Sequence, residues 1–361
     1  MVNNHCGSIR TLEPEIACLY EPQAGEWTYS HHASLAYFRG RFYAMWSNGR
    51  VNEDDRGQRV LYSVSGDGLV WSRPAALYES RKDGAVLTAA GWYVHGQTLN
   101  AYAGCYFYAG EANDPRPQGD VAHFGTTLLC KTSANGTDWS EETDLHLPIV
   151  PNQGPQRLAG GRLMICGNIT FPYTDDPAGL TGWRVGGLAP CPCAGLQDDS
   201  EGFHRHSALR NDGFDVCEGS YLEVNGCIRM LLRNVRDHLL CMSESRDNGE
   251  SWSPLSLTGF TDNNSKFYCM RLSDGRYAVI SNPEEKGPRC PLAISPSENG
   301  EAFDRRYLIA TERLPRRHEG MYKGGIYGYP HAIEVNGMLY VICSVNKEDI
   351  RVFRFPLSAL Q

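Results

Sequence analysis

The sequence contains no apolar run long enough to cross a membrane as a helix, and no segment with the composition of an interdomain linker. It also lacks an excess of positive charge, since 42 Asp and Glu outnumber 34 Lys and Arg, for a formal net charge of −8. An acidic chain disfavours nonspecific binding to polyanions, so we expect neither a membrane nor a nucleic acid as a partner. Residues 1–17 lack a cationic segment followed by an apolar one, which predicts a cytoplasmic protein while leaving secretion open.

The cysteines show little sign of metal or disulfide chemistry. The 13 cysteines are scattered through strand-like segments, where a free thiol behaves as a small hydrophobic residue. Cys191-Pro192-Cys193 is the only close pair, and no second paired motif accompanies it. We therefore predict no metal and no cofactor, and the role of this pair is left open.

One short phrase occurs four times in the chain. Each copy has a Ser, then an Asp or Asn, a Gly, and an aromatic residue three positions after the Gly; the copies are residues 65–71, 133–139, 245–252 and 297–303. Asp/Asn-Gly favours a tight turn with positive φ, and the aromatic residue can hold that turn against the body of the domain. The repeat therefore predicts the same stapled hairpin at four places.

A second repeat counts the structural units. Short apolar strands flank glycine turns that recur every 49 to 65 residues; the glycines are Gly40, Gly96, Gly161, Gly226, Gly275 and Gly337. This spacing predicts an all-β chain folded as a six-bladed β-propeller in a single domain, 1–361. The predicted blades are 28–80, 85–148, 150–200, 213–258, 262–312 and 325–361, and an N-terminal strand at 15–20 is expected to pair near 350–356 and close the ring.

The repeated phrase resembles the Asp-box of sialidases and related β-propeller enzymes of carbohydrate metabolism. In that family the boxes are structural, so the resemblance implies the architecture and places no catalytic residue. The third predicted blade has no recognisable box.

Polar residues recur where the first and second strand of each blade should meet one rim of the central channel. Eight or nine residues before the glycine turns stand His31, His32, Gln153, Glu218, Lys266 and Tyr329, and seven after two of them stand Asn168 and Arg233. Polar side chains converging on one face are typical of a sugar pocket. The boxes, which join third and fourth strands, are expected on the opposite face.

The resemblance to sialidases also implies a catalytic set. Tyr329, before a strand-turn-strand, resembles the family's tyrosine; Glu218 and Arg233, fifteen residues apart, resemble its Glu and Arg; Arg289 resembles a second Arg, and Asp55 its acid/base. A neutral phenol whose proton passes to Glu218 suits an acidic sugar, which would repel a carboxylate nucleophile. The two arginines can hold the substrate carboxylate. The expected activity is that of an exo-acting, sialidase-like glycoside hydrolase on an acidic oligosaccharide or glycan.

The sequence departs from the family at one position, because His31-His32 stand where sialidases carry their first Arg. Similar propellers, the ulvan lyases and rhamnose–glucuronate lyases, cut beside a uronic acid by β-elimination with His, Tyr and Arg. A lyase using His32 is therefore the alternative, with no second His about twenty residues downstream. His331 follows Tyr329 by two positions and is a further candidate for the pocket. A non-catalytic glycan-binding propeller is the third possibility.

Two loops of concentrated charge accompany these residues. Residues 52–59 and 282–289 are expected over the same rim, where a charged run is more often a solvated surface than a site. The segment 316–325 is basic and rich in glycine, which is typical of a loop that covers an anionic ligand.

Overall fold

The structure is a computed structural model that describes residues 1–5, 7–23, 25–108, 123–188, 209–211 and 214–361. Strands dominate it, and the one helix among these residues is a 3-10 turn at Leu357–Leu360. No helix in the described part of the chain is long and apolar enough to cross a lipid bilayer. Cys191-Pro192-Cys193 lies outside the described residues.

Two short strands precede the sheets, β1 (Ser8–Thr11) and β2 (Glu15–Tyr20). The first sheet contains β3 (Tyr29–Phe38), β4 (Arg41–Gly49), β5 (Arg59–Ser65) and β6 (Ala75–Tyr78). The second contains β7 (Val86–His95), β8 (Thr98–Tyr108), β9 (His123–Ser133) and β10 (Thr143–Asp144). The third contains three two-residue strands, β11 (Gln156–Arg157), β12 (Leu163–Met164) and β13 (Tyr173–Thr174).

The remaining sheets are longer. The fourth contains β14 (Leu209–Asn211), β15 (Phe214–Val224), β16 (Cys227–Asn234), β17 (Leu239–Ser245) and β18 (Ser256–Thr261). The fifth contains β19 (Tyr268–Arg271), β20 (Tyr277–Ser281), β21 (Leu292–Ser297) and β22 (Arg305–Ala310). The sixth contains β23 (Tyr327–Val335), β24 (Met338–Val345) and β25 (Asp349–Pro356).

The N-terminal strands complete two of these sheets. β2 pairs antiparallel with β25, so that Glu15 lies opposite Arg354, in the partnership that the sequence predicts. β1 pairs in parallel with β22 of the fifth sheet, which the sequence analysis missed because four residues carry too little periodicity. The chain start therefore ties the fifth and sixth sheets together.

The hydrophobic core lies between the sheets rather than within one of them. Tyr43 of the first sheet packs with Leu99 of the second, and a larger cluster joins the second, third and fourth sheets around Phe171. Further clusters join the fourth sheet to the fifth and the fifth to the sixth. Trp46 and Ile342 join the sixth sheet to the first. Each sheet thus packs on its neighbour in chain order, and the last packs on the first.

The four repeated boxes form the predicted turns. Each follows the third strand of a four-stranded unit, namely β5, β9, β17 or β21. In the first box the Ser65 Oγ accepts the N–H of Gly68 at 2.8 Å, and one oxygen of Asp67 accepts the N–H groups of Leu69 and Val70 at 2.9 and 2.8 Å. The Trp71 indole N–H donates to the Gly68 carbonyl at 3.1 Å. The boxes lie at the ends of the sheets opposite the start of the first strands, as expected.

The ten described cysteines are free thiols, and all but Cys18 are buried. Burial raises the pKa of these thiols, for example that of Cys269 to about 12, so they remain protonated. They pack as small hydrophobic residues, in agreement with the sequence analysis.

Candidate functional site

Three of the predicted site residues lie at the same structural feature of three different sheets. The inner strands β3, β15 and β23 each contain a β-bulge, at positions 31–34, 217–219 and 328–331. His32, Glu218 and Tyr329 are the bulged residues, with φ of 55°, 49° and 55°. A bulge redirects one side chain of a strand, and left-handed backbone at residues other than glycine is typical of functional sites. The bulges therefore direct these three side chains differently from the regular alternation of side chains between the two faces of a strand.

The Tyr329 ring lies at the centre of the candidate site. Its centroid is 4.1 Å from that of His31 and 5.3 Å from that of His32. Two cations lie beside the same ring, the Lys266 Nζ at 5.3 Å and the Arg289 guanidinium carbon at 5.4 Å from its centroid. Burial, assisted by Glu218, raises the pKa of the Tyr329 phenol well above 10, so the phenol is protonated until a base takes its proton.

Glu218 and Arg233 form a largely buried ion pair. The Arg233 Nη1 donates to the Glu218 carboxylate at 2.6 Å, and its Nε donates to the Asn264 side chain at 2.5 Å. The backbone N–H of Glu218 donates to the Asn168 side chain at 3.3 Å, which places Asn168 behind the pair. Burial alone would raise the pKa of Glu218, but Arg233 and a hydrogen bond from Tyr329 outweigh it and hold that pKa below 4.5. The carboxylate is thus ionised and adjacent to the phenol.

The two histidines are neutral and oriented by serines. The His31 Nδ1 lies 2.6 Å from the Ser344 hydroxyl, which itself donates to the Gly328 carbonyl at 3.3 Å. The buried Nε2 of His31 has no hydrogen-bond partner among the described residues. The His32 Nδ1 lies 3.1 Å from the Ser47 hydroxyl. Burial lowers the pKa of His32 to about 3 and that of His31 well below 6.5.

Lys266 and Arg289 supply positive charge that no carboxylate of the described chain neutralises by direct contact. The Lys266 Nζ donates to the Asn152 carbonyl, and burial lowers the pKa of Lys266 to about 8. The Arg289 Nη1 is buried and lacks a hydrogen-bond partner in the described part of the protein. A buried N–H without a partner is unfavourable, so Arg289 has a donor left over for an anionic group.

Asp55 does not point toward Tyr329. One of its oxygens accepts the N–H groups of Val51 and Asn52, each at 2.8 Å, and the other accepts the Asn52 side-chain amide at 2.9 Å. Asp55 therefore fixes its own loop, and Glu53 of that loop takes the place expected for it. The Glu53 carboxylate lies near both histidines, 2.6 Å from the Lys347 Nζ and 3.3 Å from the Tyr29 hydroxyl.

The other predicted residues surround this centre. His331 accepts the Leu35 N–H through Nδ1 at 3.2 Å and packs on Tyr268 at 4.4 Å between centroids. Burial lowers the pKa of His331 to about 3, with Lys266 as a further cause. Gln153 is buried, and its Oε1 has no partner among the described groups. The structure thus brings His31, His32, Lys266 and Arg289 to the Tyr329 ring, whereas the Asp55 carboxylate is held by its own loop.

Asp262 is a buried acid that the sequence analysis missed. One carboxylate oxygen accepts the Ser265 N–H at 2.8 Å, while the other is buried without a partner in the described chain. Burial raises the pKa of Asp262 to about 7, although Arg233 and Arg289 oppose this. It lies just after β18, outside any repeat, so no pattern marked it.

The ligand atoms of His31, His32 and Glu53 lie within 4.8 Å of one another, which is the one metal-like grouping in the described chain. Glu53 already pairs with Lys347, and Lys266 and Arg289 lower the pKa of His31 through their positive charge. Cations crowded around a site disfavour a metal ion and favour an anion.

A separate depression of about 970 Å³ lies at the opposite end of the inner strands, lined by Gln156, Tyr221, Tyr268, Arg271, Glu334 and Asn336 among others. The carboxylates that line it accept hydrogen bonds from backbone N–H groups; Glu334, for example, accepts the Ser273 N–H at 2.9 Å. None of the bulged residues His32, Glu218 and Tyr329 lines it.

The fold is similar to that of several solved structures. A Dyadobacter fermentans protein of unknown function superimposes with a TM-score of 0.68 at 15% identity, over 95% of this chain and 98% of that one. The Trypanosoma rangeli sialidase in complex with sialic acid gives 0.66 at 14% identity, over 96% of this chain but 59% of that one. A mutant NanB sialidase of Streptococcus pneumoniae gives 0.65 at 15% identity, over 95% of this chain and 71% of that one. These identities establish a shared fold only.

No curated protein sequence matches the chain significantly. Residues 40–341, most of the chain, match the family model of the BNR repeat-like domain. The protein therefore belongs to the sialidase-like family of BNR repeat-like, Asp-box proteins.

Proposed function

We propose that the six sheets are the blades of one closed propeller, and that the protein is a glycosidase that removes a terminal acidic sugar from a glycan. The observation that supports this most is that the Tyr329 ring lies beside two cations, Lys266 and Arg289, while its hydroxyl bonds the Glu218 carboxylate that pairs with Arg233. The phenol thus has both a base and charges for a substrate carboxylate close to it. The Trypanosoma rangeli sialidase of similar fold was solved with sialic acid, which agrees with an acidic glycan as substrate.

The substrate carboxylate would lie against Arg289 and Lys266, with Arg233 beside them. Sialidases hold the substrate carboxylate with three arginines. In this chain His31-His32 stand at the position of the first of them, and Lys266 is the third cation beside Arg233 and Arg289. Arginine can bind a carboxylate with two parallel hydrogen bonds, whereas lysine acts as a point charge. This chain should therefore hold the carboxylate less rigidly than three arginines would.

In the first step, the Tyr329 oxygen attacks the anomeric carbon while its proton passes to Glu218. The bond from that carbon to the leaving oxygen breaks, and that oxygen takes a proton from Glu53, which must first be protonated from solvent and released from its ion pair with Lys347. In the second step the Glu53 carboxylate takes a proton from water, whose oxygen displaces the phenolate, and Tyr329 recovers its proton from Glu218. We move the acid/base role from Asp55 to Glu53 because the Asp55 carboxylate is held by its own loop.

The covalent intermediate provides the test. An activated acidic glycoside with fluorine beside the anomeric carbon forms the intermediate faster than water releases it, so the sugar should remain on the protein. Peptide mass spectrometry should find the added mass on the peptide containing Tyr329, and Tyr329→Phe should show none. A label on another residue would refute the assignment, and the absence of a label in a protein that hydrolyses the parent glycan would refute a tyrosyl intermediate.

A β-eliminating lyase is the second candidate, and the neutral histidines favour it. The His31 Nε2 is buried and unpartnered in the described structure, and the neutral His32 ring lies against Tyr329, so an uncharged imidazole stands beside the phenol. In that reaction Arg289 and Lys266 would neutralise a uronate, a His or Tyr329 would remove the C5 proton, and a second group would protonate the leaving oxygen. The product would be an unsaturated uronate, which absorbs ultraviolet light and which hydrolysis does not produce.

A further inference from the structure

The turn between β24 and β25 carries a lysine where comparable turns of this chain carry a glycine. The hairpin turns at Asn225-Gly226 and Asn336-Gly337 each consist of two residues with positive φ. The turn at Asn346-Lys347 has the same backbone, with φ of 55° and 57°, and the Glu348 N–H donates to the Val345 carbonyl at 2.9 Å. Left-handed backbone is unfavourable for a long side chain, whereas glycine adopts it readily. The sequence therefore keeps a lysine at a position where the fold alone would favour glycine.

The Lys347 side chain is directed at the proposed acid of the site. Its Nζ lies 2.6 Å from the Glu53 carboxylate, and the two side chains are only 9% and 16% exposed. The Tyr29 hydroxyl donates to the other oxygen of Glu53 at 3.3 Å. The Lys347 carbonyl accepts the Ser30 N–H at 2.9 Å, which attaches the turn to β3 beside the two histidines. The ion pair is therefore largely shielded from water and held against an inner strand.

The loop of Glu53 is also held by the basic segment 316–325. The Met321 N–H donates to the Asn52 side chain at 2.7 Å, and the Glu53 N–H donates to the Met321 carbonyl at 3.3 Å. The backbone of the acid is thus connected by hydrogen bonds to a second loop, while its carboxylate is connected to Lys347.

The cations of this segment are used by the protein itself, contrary to the sequence-based expectation that they cover an anionic ligand. The Arg317 guanidinium forms ion pairs with three carboxylates, those of Glu21, Glu348 and Asp349. The Lys323 Nζ donates to the Thr28 hydroxyl at 2.7 Å. These cations are therefore engaged within the protein.

Other charged and titratable groups surround the pair of Lys347 and Glu53. They are the neutral His31 and His32, together with Tyr29, Tyr329, Asp54 and Arg289. Burial lowers the pKa of Lys347, whereas Glu53 opposes that shift through its charge and its hydrogen bond. A positive charge in contact with a carboxyl group favours its ionised form. Removal of the lysine charge should therefore make Glu53 easier to protonate.

This contact has two opposite effects on a group that must donate a proton. Before the reaction it favours the ionised carboxylate, so Glu53 takes up a proton only at lower pH. During the proton transfer the carboxylate regains its negative charge, and the ammonium group beside it stabilises that charge. The lysine therefore makes Glu53 a stronger acid that is protonated over a narrower pH range.

We propose that Lys347 is a positioning residue for the acid step, because its ammonium group holds the Glu53 carboxylate in the site and stabilises the charge that returns as the proton leaves. This inference rests on the proposed function for the role of Glu53. Lys347 remains an ammonium ion throughout, since the proton passes from Glu53 to the leaving oxygen and is replaced from water in the second step.

The test compares the pH profiles of variants on two leaving groups. Lys347→Met, which keeps the length of the side chain without its charge, should lower kcat/KM for an acidic methyl glycoside about 10-fold at the acidic plateau. The pH above which kcat/KM falls should increase by about one unit or more. A nitrophenyl glycoside, whose leaving group needs no proton, should lose less than about 2-fold at that plateau. Lys347→Gln should behave like Lys347→Met.

Two controls keep a cation or remove a different one. Lys347→Arg retains the charge and should keep the pH dependence of wild type. Lys323→Met removes a lysine of the same rim that donates to a hydroxyl group, and it should leave both profiles unchanged. A loss of kcat/KM that is equal at every pH and for both leaving groups would show a structural defect only and would overturn the role of Lys347.

An NMR titration of Glu53 separates this inference from the proposed function. The carboxyl carbon signal of Glu53, assigned by its loss in Glu53→Gln, should titrate about one pH unit or more higher in Lys347→Met than in wild type. The signal of the exposed Glu13 should titrate identically in both proteins. An identical titration of Glu53 in both would overturn the inference. If the titration shifts as expected but wild type hydrolyses no acidic glycoside, the proposed function fails and the coupling of Lys347 to Glu53 stands.

Discussion

Replacement of Glu218 by Gln should both destabilise the protein and abolish its activity. The side chains of Glu218 and Arg233 are 11% and 16% exposed and lie 2.6 Å apart, so Glu218→Gln leaves a nearly buried guanidinium with a neutral partner. Removal of one member of a buried pair costs about 3 to 5 kcal/mol, and the isosteric amide, which still accepts a hydrogen bond, should place the loss near 3 kcal/mol. Loss of the proton acceptor for Tyr329 should lower kcat/KM by about 10³-fold, which is about 4 kcal/mol.

The pH dependence distinguishes the ion pair from a packing defect. The folded pKa of Glu218 lies below its ordinary 4.5, so its contribution to stability is present above pH 4.5 and is lost as the pH falls through the folded value. Urea unfolding should therefore show a large difference between wild type and Glu218→Gln at pH 7 that shrinks toward pH 3. Glu298→Gln is the control, because the Glu298–Arg305 pair is exposed and should contribute less than about 1 kcal/mol. A Glu218→Gln variant with wild-type stability at pH 7, or with full activity, would refute this reasoning.

Three further predictions follow from the same contacts. Burial raises the pKa of Asp262 to about 7, so the free energy of unfolding should fall as the pH rises from about 4 to 7. In urea unfolding, Asp262→Asn should remove that slope and gain on the order of 1 to 4 kcal/mol at pH 8. An unchanged slope would contradict this prediction. Burial lowers the pKa of Lys266 to about 8, so the KM for an acidic glycan should increase above pH 8 as the lysine loses its charge. Lys266→Met should raise KM about 10-fold and make KM less dependent on pH. An unaltered KM would exclude Lys266 from carboxylate binding. Asp247→Ala should cost about 1 kcal/mol in thermal or urea unfolding with kcat unchanged, because Asp247 accepts the N–H and hydroxyl of Ser251 within a box distant from the site; a large loss of kcat would contradict that separation.

The all-β fold and its repeated hairpins were predictable because the sequence itself repeats. Glycine turns such as Gly226 need positive φ, and each box carries its own hydrogen-bond donors and acceptors, so local chemistry specifies each hairpin. The third sheet was the least predictable, since its strands have two residues each and no box. The pairing of β1 with β22 depends on contacts about 300 residues apart, which no local pattern records.

The clustering of several candidate residues was predictable, and their geometry was less so. Counting back from the turns located Glu218 and Tyr329, but the bulges that redirect their side chains leave no periodic signal in the sequence. Within one charged loop, sequence analysis chose Asp55, whereas the structure uses Asp55 to cap its loop and directs Glu53 to the histidines. Which of two carboxylates in one loop faces the histidines depends on backbone angles, such as the φ of 56° at Asp54. Amino-acid composition does not reveal these angles.

The most direct test of the central claim is the product formed from acidic glycans. Purified protein is incubated with sialylated and uronate-containing glycans, and both the released acidic sugar and the ultraviolet absorbance of an unsaturated uronate are recorded, with Tyr329→Phe in parallel. The account predicts release of the acidic sugar without a rise in absorbance, and at least a 10³-fold slower release by Tyr329→Phe. A rise in absorbance would show elimination instead of hydrolysis, and full activity of Tyr329→Phe or no turnover of any acidic glycan would contradict the account.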